Sequence, residues 1–303
     1  MTKQTRVAGI EVSKPDKELF PRTEDKKALT KLGLAEYYAD VATVMLPHLR
    51  RRPVNMQRLP DGITGPSFYE KKLPSHFPTF VDSIEVNTSE SGPQQQVVVN
   101  DQRSLVYLAN QACITPHTWL STSVDLDRPD QLIFDLDPSV PGLRAVRRAT
   151  RLVGEILDDL GLVTYVKTTG SRGYHVLVPL RRSGGFDEVR GFARTVAEVL
   201  VRREPDLLTL EARKNRRGER VLVDVQRNGY GQTAVPPYAV RARPGAPVSV
   251  PITWDELSRV RPDQHDVWSV KRRLARRDDP WRELRRSPQG LARARERVAK
   301  LGS

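Results

Sequence analysis

Residues 131–139 read QLIFDLDPS, an apolar run that closes on two aspartates two positions apart. Side chains alternate faces along a strand, so Asp135 and Asp137 share one face if Leu132, Ile133 and Phe134 lead into them as β-structure. Pro138 then ends the ladder where the carboxylates sit. Two such groups a few ångströms apart repel, and the usual neutralisers are a shared proton or one or two divalent cations. An Asp-x-Asp at a strand end that faces water looks the same on paper. The chain carries its own control in STSVDLDRPD, where Asp125 and Asp127 are bounded by Ser, Thr and Pro and no strand leads into them. That copy reads as loop. A third acid changes the balance. In RVLVDVQRN, Asp224 lies among Val221, Leu222, Val223 and Val225, and a carboxylate there is costly unless paired, hydrogen-bonded or metal-bound. Three carboxylates from two strands can hold two magnesium or manganese ions through oxygen ligands, an arrangement suited to in-line attack of a hydroxyl on phosphorus.

Between these acids lies TTGSRGYHV, residues 168–176. Gly170 and Gly173 bracket Ser171 and Arg172, so backbone N–H groups, a hydroxyl and a guanidinium can converge on phosphate oxygens in a turn between strands. His175 is either a phosphate donor or a core histidine. The stretch lacks the Gly-Lys-Ser/Thr sequence that opens a helix in a Walker A loop. Around Asp224, the segment from Glu211 to Arg243 supplies Lys214, Arg216, Arg217, Arg220, Arg227, Arg241 and Arg243. Most basic runs are solvated faces. Beside a candidate metal-binding acid, they offer a seat for a triphosphate bridging metal and guanidinium.

The bulk numbers agree with an anionic partner. Fifty Lys and Arg against 37 Asp and Glu leave +13 over 303 residues, which favours nucleic acid first and an anionic membrane surface second. No run approaches about 18 apolar residues, and the N-terminus has no apolar stretch resembling a signal peptide. A cytoplasmic, nucleoid-associated protein without a membrane partner is expected. The single cysteine, Cys113, can form neither an internal disulfide nor a thiolate zinc cluster, and its apolar flanks suit a core position. Helical periodicity runs through TKLGLAEYYADVATVMLPHLRRRP, SLVYLANQACI, GLRAVRRATRLVGEILDDLG and FDEVRGFARTVAEVLVRRE. Strands are expected in PTFVDSIEV, QQQVVVND, LIFDLD, LVTYVKTT, YHVLVPL and VLVDVQ, with NTSESGPQ as a polar turn between the first two and TWDEL starting a short helix. This mixture argues for α+β.

In combination, PDKELFP, FYEKK, FDLDP, TGSRGYH and VDVQRN followed by TAVPPYAVRAR make the chain resemble the polymerase domain of bacterial ligase D, a branch of the archaeo-eukaryotic primase superfamily. The resemblance runs from about KPDKELFP to TWDEL. It implies a primase-like core with an RRM-type antiparallel sheet backed by helices, and a template-dependent nucleotidyltransferase whose catalytic and metal-binding residues are Asp135, Asp137 and Asp224. It also implies contacts to the incoming nucleotide from Ser171, Arg172, His175 and His117, with Arg217, Arg227 and Arg241 facing phosphates; Arg220 is a further nucleotide-binding candidate. Phe68 and Tyr69 match an aromatic pair that stacks on DNA at a break, stacking that tolerates any base, and Lys71 follows them. Lys17 and Lys31 match lysines that grip a downstream 5′-phosphate. Gln57 stands where some relatives have an active-site lysine, with Arg58 beside it as a substitute cation. Arg172 replaces a lysine, and its fork is not an ammonium point charge. Lys26 and Lys27, in TEDKKALTKLG, extend the DNA-binding surface.

The expected organisation is one catalytic unit over 1–270, with parts 1–125 and 126–270 packed together, and a basic helical extension over 271–303. The expected reaction adds nucleoside triphosphates, ribonucleotides preferred, to a DNA 3′-hydroxyl at gaps or broken ends, with two Mn2+ or Mg2+ ions. A monomer working with a separate DNA ligase and Ku completes the expectation. Two rivals are a catalytically idle DNA-end scaffold and a de novo primase. The primase often needs a zinc module, which one cysteine cannot build.

Overall fold

The computed structural model describes residues 5–88 and 92–302. The tip of the turn expected over NTSESGPQ, residues 89–91, lies outside them. The chain divides into two compact units. The first comprises the described residues up to Val124, with Thr233–Val250 and His265–Asp278; the second comprises Asp125–Gln232, Pro251–Gln264 and the described residues from Asp279 on.

In the first unit, the helix Lys31–Leu49 opens on Thr30, whose hydroxyl accepts from the Gly33 N–H at 3.2 Å, a standard cap. Its buried face, including Leu34, Tyr38, Val41 and Met45, packs on the helix Gln102–Asn110. A sheet carries the strands in the order Thr233–Ala234, Cys113–Trp119, Pro53–Arg58, Gly92–Val98 and Ser83–Thr88, with Phe68–Glu70 paired to Pro53–Arg58. The helix expected through SLVYLANQACI stops at Asn110, and Cys113 begins a strand instead. Ala112 turns the chain with a positive φ of 55°, and the β-favouring Ile114, Thr115 and Thr118 follow. Cys113 is buried, as expected, and burial raises its thiol pKa.

The second unit holds a sheet in the order Leu208–Thr209, Val221–Asp224, Gln131–Pro138, Tyr174–Pro179, Tyr165–Thr168, Pro251–Ile252. Every pairing in it is antiparallel except the first. Alternation sends Leu132, Phe134 and Leu136, Tyr174, Val176 and Val178, and Val221 and Val223 into one core with the helices Arg144–Asp159 and Phe186–Arg203. Each large side chain buried there stabilises the unit by about 1.5–3 kcal/mol. This is the α+β fold read from the sequence, an antiparallel sheet backed by helices. The opposite face takes the odd-numbered residues of FDLDP, and there the carboxylates sit.

The 271–303 stretch divides between the units. The helix Val267–Leu274 belongs to the first. In the second, Trp281, Leu284, Leu291, Ala294 and Val298 are buried, and the helix Ala292–Gly302 packs against Phe186–Arg203. The Trp281 indole donates to the Val166 carbonyl at 3.1 Å. Gln289 brackets Val163 through its side chain, accepting from the Val163 N–H at 2.7 Å and donating to its carbonyl at 2.9 Å.

Candidate active site

The register of the second unit's sheet brings the acids together. Asp135 pairs directly with Asp224 across the ladder, and Asp137 pairs with Leu222. Directly opposed residues share a face with Cβ atoms about 4.5–5.5 Å apart, so all three carboxylates lie on the face away from the helices. On its other side Asp135 pairs with His175, whose Nε2 lies 3.4 Å from Asp135 Oδ1. The Arg227 guanidinium lies 3.7 Å from Oδ2. Burial works against the charge on Asp135, but His175, Arg227 and Lys167 outweigh it and hold the carboxyl down at about 2. Burial, followed by the Lys167 ammonium, pushes the His175 imidazole down to about 4, against the pull of Asp135. A neutral imidazole whose Nε2–H faces Asp135 has an acceptor at Nδ1, and Nδ1 is buried without a hydrogen-bond partner. Asp224 shows the repulsion expected of a close pair: burial raises its carboxyl and the charge on Asp135 adds to the rise, while the Gln226 N–H donates to Oδ1 at 2.8 Å and opposes it.

Asp137 is held by guanidinium groups. Arg172 donates to Oδ1 and Arg217 to Oδ2, each at 3.2 Å. Arg217 is 6% exposed and spends its other donors on the carbonyls of Glu211 and Ala212, at 2.8 and 2.6 Å. Expected as a phosphate-facing group, it is a fixed brace for Asp137. Arg220 is likewise tied to backbone, donating to the carbonyls of Arg217 and Arg216. In the TGSRG turn, the Thr169 hydroxyl accepts from the N–H groups of Ser171 and Gly173, at 3.2 and 3.3 Å. Gly173 passes so close to the aspartate strand that a Cβ there would lie 1.9 Å from the Leu136 carbonyl oxygen. That contact requires glycine and fixes the turn against the backbone between the two aspartates. A cavity of about 270 Å³ opens beside Asp224, lined by Arg194, Leu210, Ala212, Arg217 and Leu222 among others.

The three carboxylates suit a hard divalent cation in donor type and in sharing one sheet face. As the side chains stand, no three His, Cys, Asp or Glu among the described residues form a group that could hold a metal ion, and both Asp137 oxygens are turned to arginines.

The remaining expected residues fall in the first unit. Phe68 and Tyr69 sit on the strand Phe68–Glu70, 44% and 57% exposed, and Lys71 follows, also exposed. The Tyr69 ring meets His117 edge-on at 5.5 Å. Arg58 is committed to Glu70 at 2.5 Å and to the Gln111 carbonyl at 2.9 Å, and its guanidinium stands over the Phe68 ring at 5.6 Å. Lys31 is buried with its ammonium 3.1 Å from the Ser13 hydroxyl. Burial lowers its pKa, and Lys17, Lys14 and Arg58 lower it further. Such a cluster of like charges suits an anion, and Lys14 joins it unannounced by the sequence reading. Lys17 pairs with Asp61 at 2.7 Å, and Lys26 with Asp266. Arg241 donates its backbone N–H to the Pro247 carbonyl at 2.8 Å. The sequence reading also passed over Lys167, 1% exposed, which pairs with His175 in the ladder. The signal was available: like Asp224, it is a lone charge in a strand of uncharged residues.

Comparisons with known proteins bear on this arrangement. The family described as LigD, primase-polymerase domain matches residues 30–281. The multifunctional non-homologous end joining protein LigD of Pseudomonas aeruginosa is 34% identical over 301 residues, covering 96% of this chain and 34% of that protein. The corresponding protein of Mycolicibacterium smegmatis is 32% identical over 257 residues, covering 84% and 33%. The chain therefore spans about a third of the length of these relatives. The solved polymerase domain of Mycobacterium tuberculosis ligase D in complex with DNA aligns with a TM-score of 0.84 at 31% identity, over 94% of this chain and 100% of that one. With the family match running through the aspartate strand, the glycine turn and the Asp224 strand alike, the chain belongs to the LigD primase-polymerase domain family.

Proposed function

We propose that the protein is a DNA-dependent nucleotidyltransferase that adds nucleoside triphosphates to a DNA 3′-hydroxyl at gaps or broken ends, releasing pyrophosphate. The observation that carries this reading is the direct pairing of Asp135 with Asp224, with Asp137 on the same face. When bound there, two Mn2+ or Mg2+ ions supply Lewis-acid activation of the hydroxyl and neutralisation of the leaving group. Asp135, Asp137 and Asp224, which share one sheet face, would hold these ions. Arg217 and Arg172 hold Asp137 ready, and Arg227 supports Asp135. The Ser171 hydroxyl and the Arg172 guanidinium of the TGSRG turn donate to the phosphates of the bound nucleotide, with His175 fixed beside Asp135.

The first unit supplies the DNA contacts. Phe68 and Tyr69 stack on bases, with Lys71 at the backbone. Lys17, Lys31 and Lys14 bind a downstream 5′-phosphate, and Lys26 extends that surface. A preference for ribonucleotides, and action beside a DNA ligase and Ku in end joining, complete the proposal.

The test is incorporation of ribo- and deoxynucleotides opposite a short gap with or without a downstream 5′-phosphate. Incorporation stimulated by the phosphate, less so at high salt, is expected, and Lys31→Ala removes the stimulation. DNA binding without incorporation under any divalent ion would leave the scaffold reading standing instead.

A further inference from the structure

Four strands of the second unit's sheet carry one uninterrupted row of charged or titratable residues. Asp224 pairs with Asp135, Asp135 with His175, and His175 with Lys167. Beyond Lys167 the row ends on Pro251. Because directly opposed residues share a face, all four side chains rise from the same side of the sheet. Lys167 and His175 are 1% and 3% exposed, so water screens their charges poorly. The row therefore has a negative end of two carboxylates and a positive end of one ammonium, with an imidazole between them.

A buried lysine in a strand of Tyr165, Val166 and Thr168 needs a reason, since an apolar residue would pack there without the desolvation cost. Its strand is also held from outside: the Trp281 indole fixes the Val166 carbonyl, and the Tyr165 ring meets Trp281 edge-on at 6.1 Å. A charge on so constrained a backbone acts at a set distance. Two strand spacings of about 4.8 Å separate it from Asp135.

We propose that Lys167 is a positioning residue for the metal-binding carboxylates, a buried ammonium that subtracts from their field so that a divalent ion is held firmly only together with a triphosphate. The lysine repels a free cation and attracts the polyanion that arrives with one. Binding of the two is thereby coupled, with no contact between Lys167 and either required. The inference rests on the polymerase reading, because it takes Asp135 and Asp224 as metal ligands.

The experiment titrates Mn2+ into the full chain without DNA or nucleotide, following the free ion by electron paramagnetic resonance, and repeats the titration with a nucleoside triphosphate present. The variants are Lys167→Met, Lys167→Gln, Lys167→Arg and Asp135→Ala. Without nucleotide, Lys167→Met and Lys167→Gln should bind Mn2+ at least about fourfold more tightly, the effect of one charge on a divalent ion at roughly 10 Å in water and a lower bound at lower dielectric. Triphosphate should then enhance Mn2+ binding less than in the unaltered protein, while Lys167→Arg stays within about twofold of it throughout. A residue with only a packing role would weaken binding when lost, so the direction of the change separates the two. Unchanged or weaker Mn2+ binding by the folded neutral variants overturns the proposal and leaves the polymerase reading intact. Failure of both neutral variants to fold also overturns it, by assigning the lysine to the fold. Mn2+ binding that is absent, or indifferent to Asp135→Ala, overturns the metal assignment itself.

Discussion

The chain contains the sequence Asp-Leu-Asp twice, ten residues apart, and the two copies do different things. At 125–127 the Asp125 side chain turns back on its own backbone, accepting from the Asp127 N–H at 3.1 Å, and it also meets Arg128 at 3.7 Å. At 135–137 the same three residues lie in a sheet, Asp135 and Leu136 paired on both sides and Asp137 on one, so each carboxylate has a fixed neighbour: Asp224 and His175 for Asp135, Arg172 and Arg217 for Asp137. Identical side chains at identical spacing thus become a solvated turn or a charged face. The cause is what precedes them, Ser-Thr-Ser-Val in one case and Gln-Leu-Ile-Phe in the other.

The sharpest way to break this comparison is to remove each pair in turn. Asp135→Ala, Asp137→Ala and Asp224→Ala should each cut nucleotide incorporation by on the order of a thousandfold, about 4 kcal/mol of transition-state stabilisation, while a gel-shift assay shows DNA still bound. Loss of DNA binding alongside would assign the strand copy to binding rather than to chemistry.

The second prediction attacks the backbone that makes the strand copy rigid. Gly173→Ala forces a methyl group against the Leu136 carbonyl and should cost about 2–4 kcal/mol in a urea titration. Gly191→Ala is the contrast. That glycine lies within the helix Phe186–Arg203 with nothing near its missing Cβ, and the change should stabilise by up to about 1 kcal/mol.

The third concerns pH. The His175 imidazole titrates near 4 in the folded protein against 6.5 unfolded, so on acidification the unfolded chain takes up the proton first. Stability should be full above pH 6.5 and fall between 6.5 and 4, by on the order of 2–3 kcal/mol in the metal-free protein. The Asp135 carboxyl, at about 2 against 3.8, withdraws its own share only below pH 4. Replacing His175 by Gln should flatten the first of these falls in denaturant titrations across that range.

The smallest expected effect belongs to the loop copy. Asp125→Ala with Asp127→Ala should leave incorporation within about twofold and stability within about 0.5 kcal/mol. A large loss would show that the turn copy also takes part.

What was legible in the sequence was whatever depends on local alternation. The strand through FDLDP, the Gly-bracketed turn, the lone acid in VLVDV and the helices that cover the apolar face all follow from spacing and residue type. Cross-strand partners do not, because register is a property of two segments at once. Nothing in TGSRGYHV says that His175 will oppose Asp135, and nothing in EARKNRRGER says that Arg217 will turn inward to Asp137 rather than outward to phosphate. Short-range competition also misled: the apolar run through Cys113 continues a helical period, yet the pairing of Cys113–Trp119 with Pro53–Arg58 decides its conformation. Lys14 escaped notice because its neighbour Lys31 lies 17 positions away, and only folding brings their charges within reach.

The Gln289 and Trp281 contacts bear on how this domain can be handled. The family match ends at residue 281, and that boundary invites trimming of the last 22 residues when the catalytic part is expressed alone. A fragment ended there would lose Leu291, Ala294 and Val298 from the interior, leave Val163 without its amide clasp, and loosen the strand that carries Lys167. Such a shortened chain should express poorly or precipitate, whereas the same cut placed after Lys300 should be harmless.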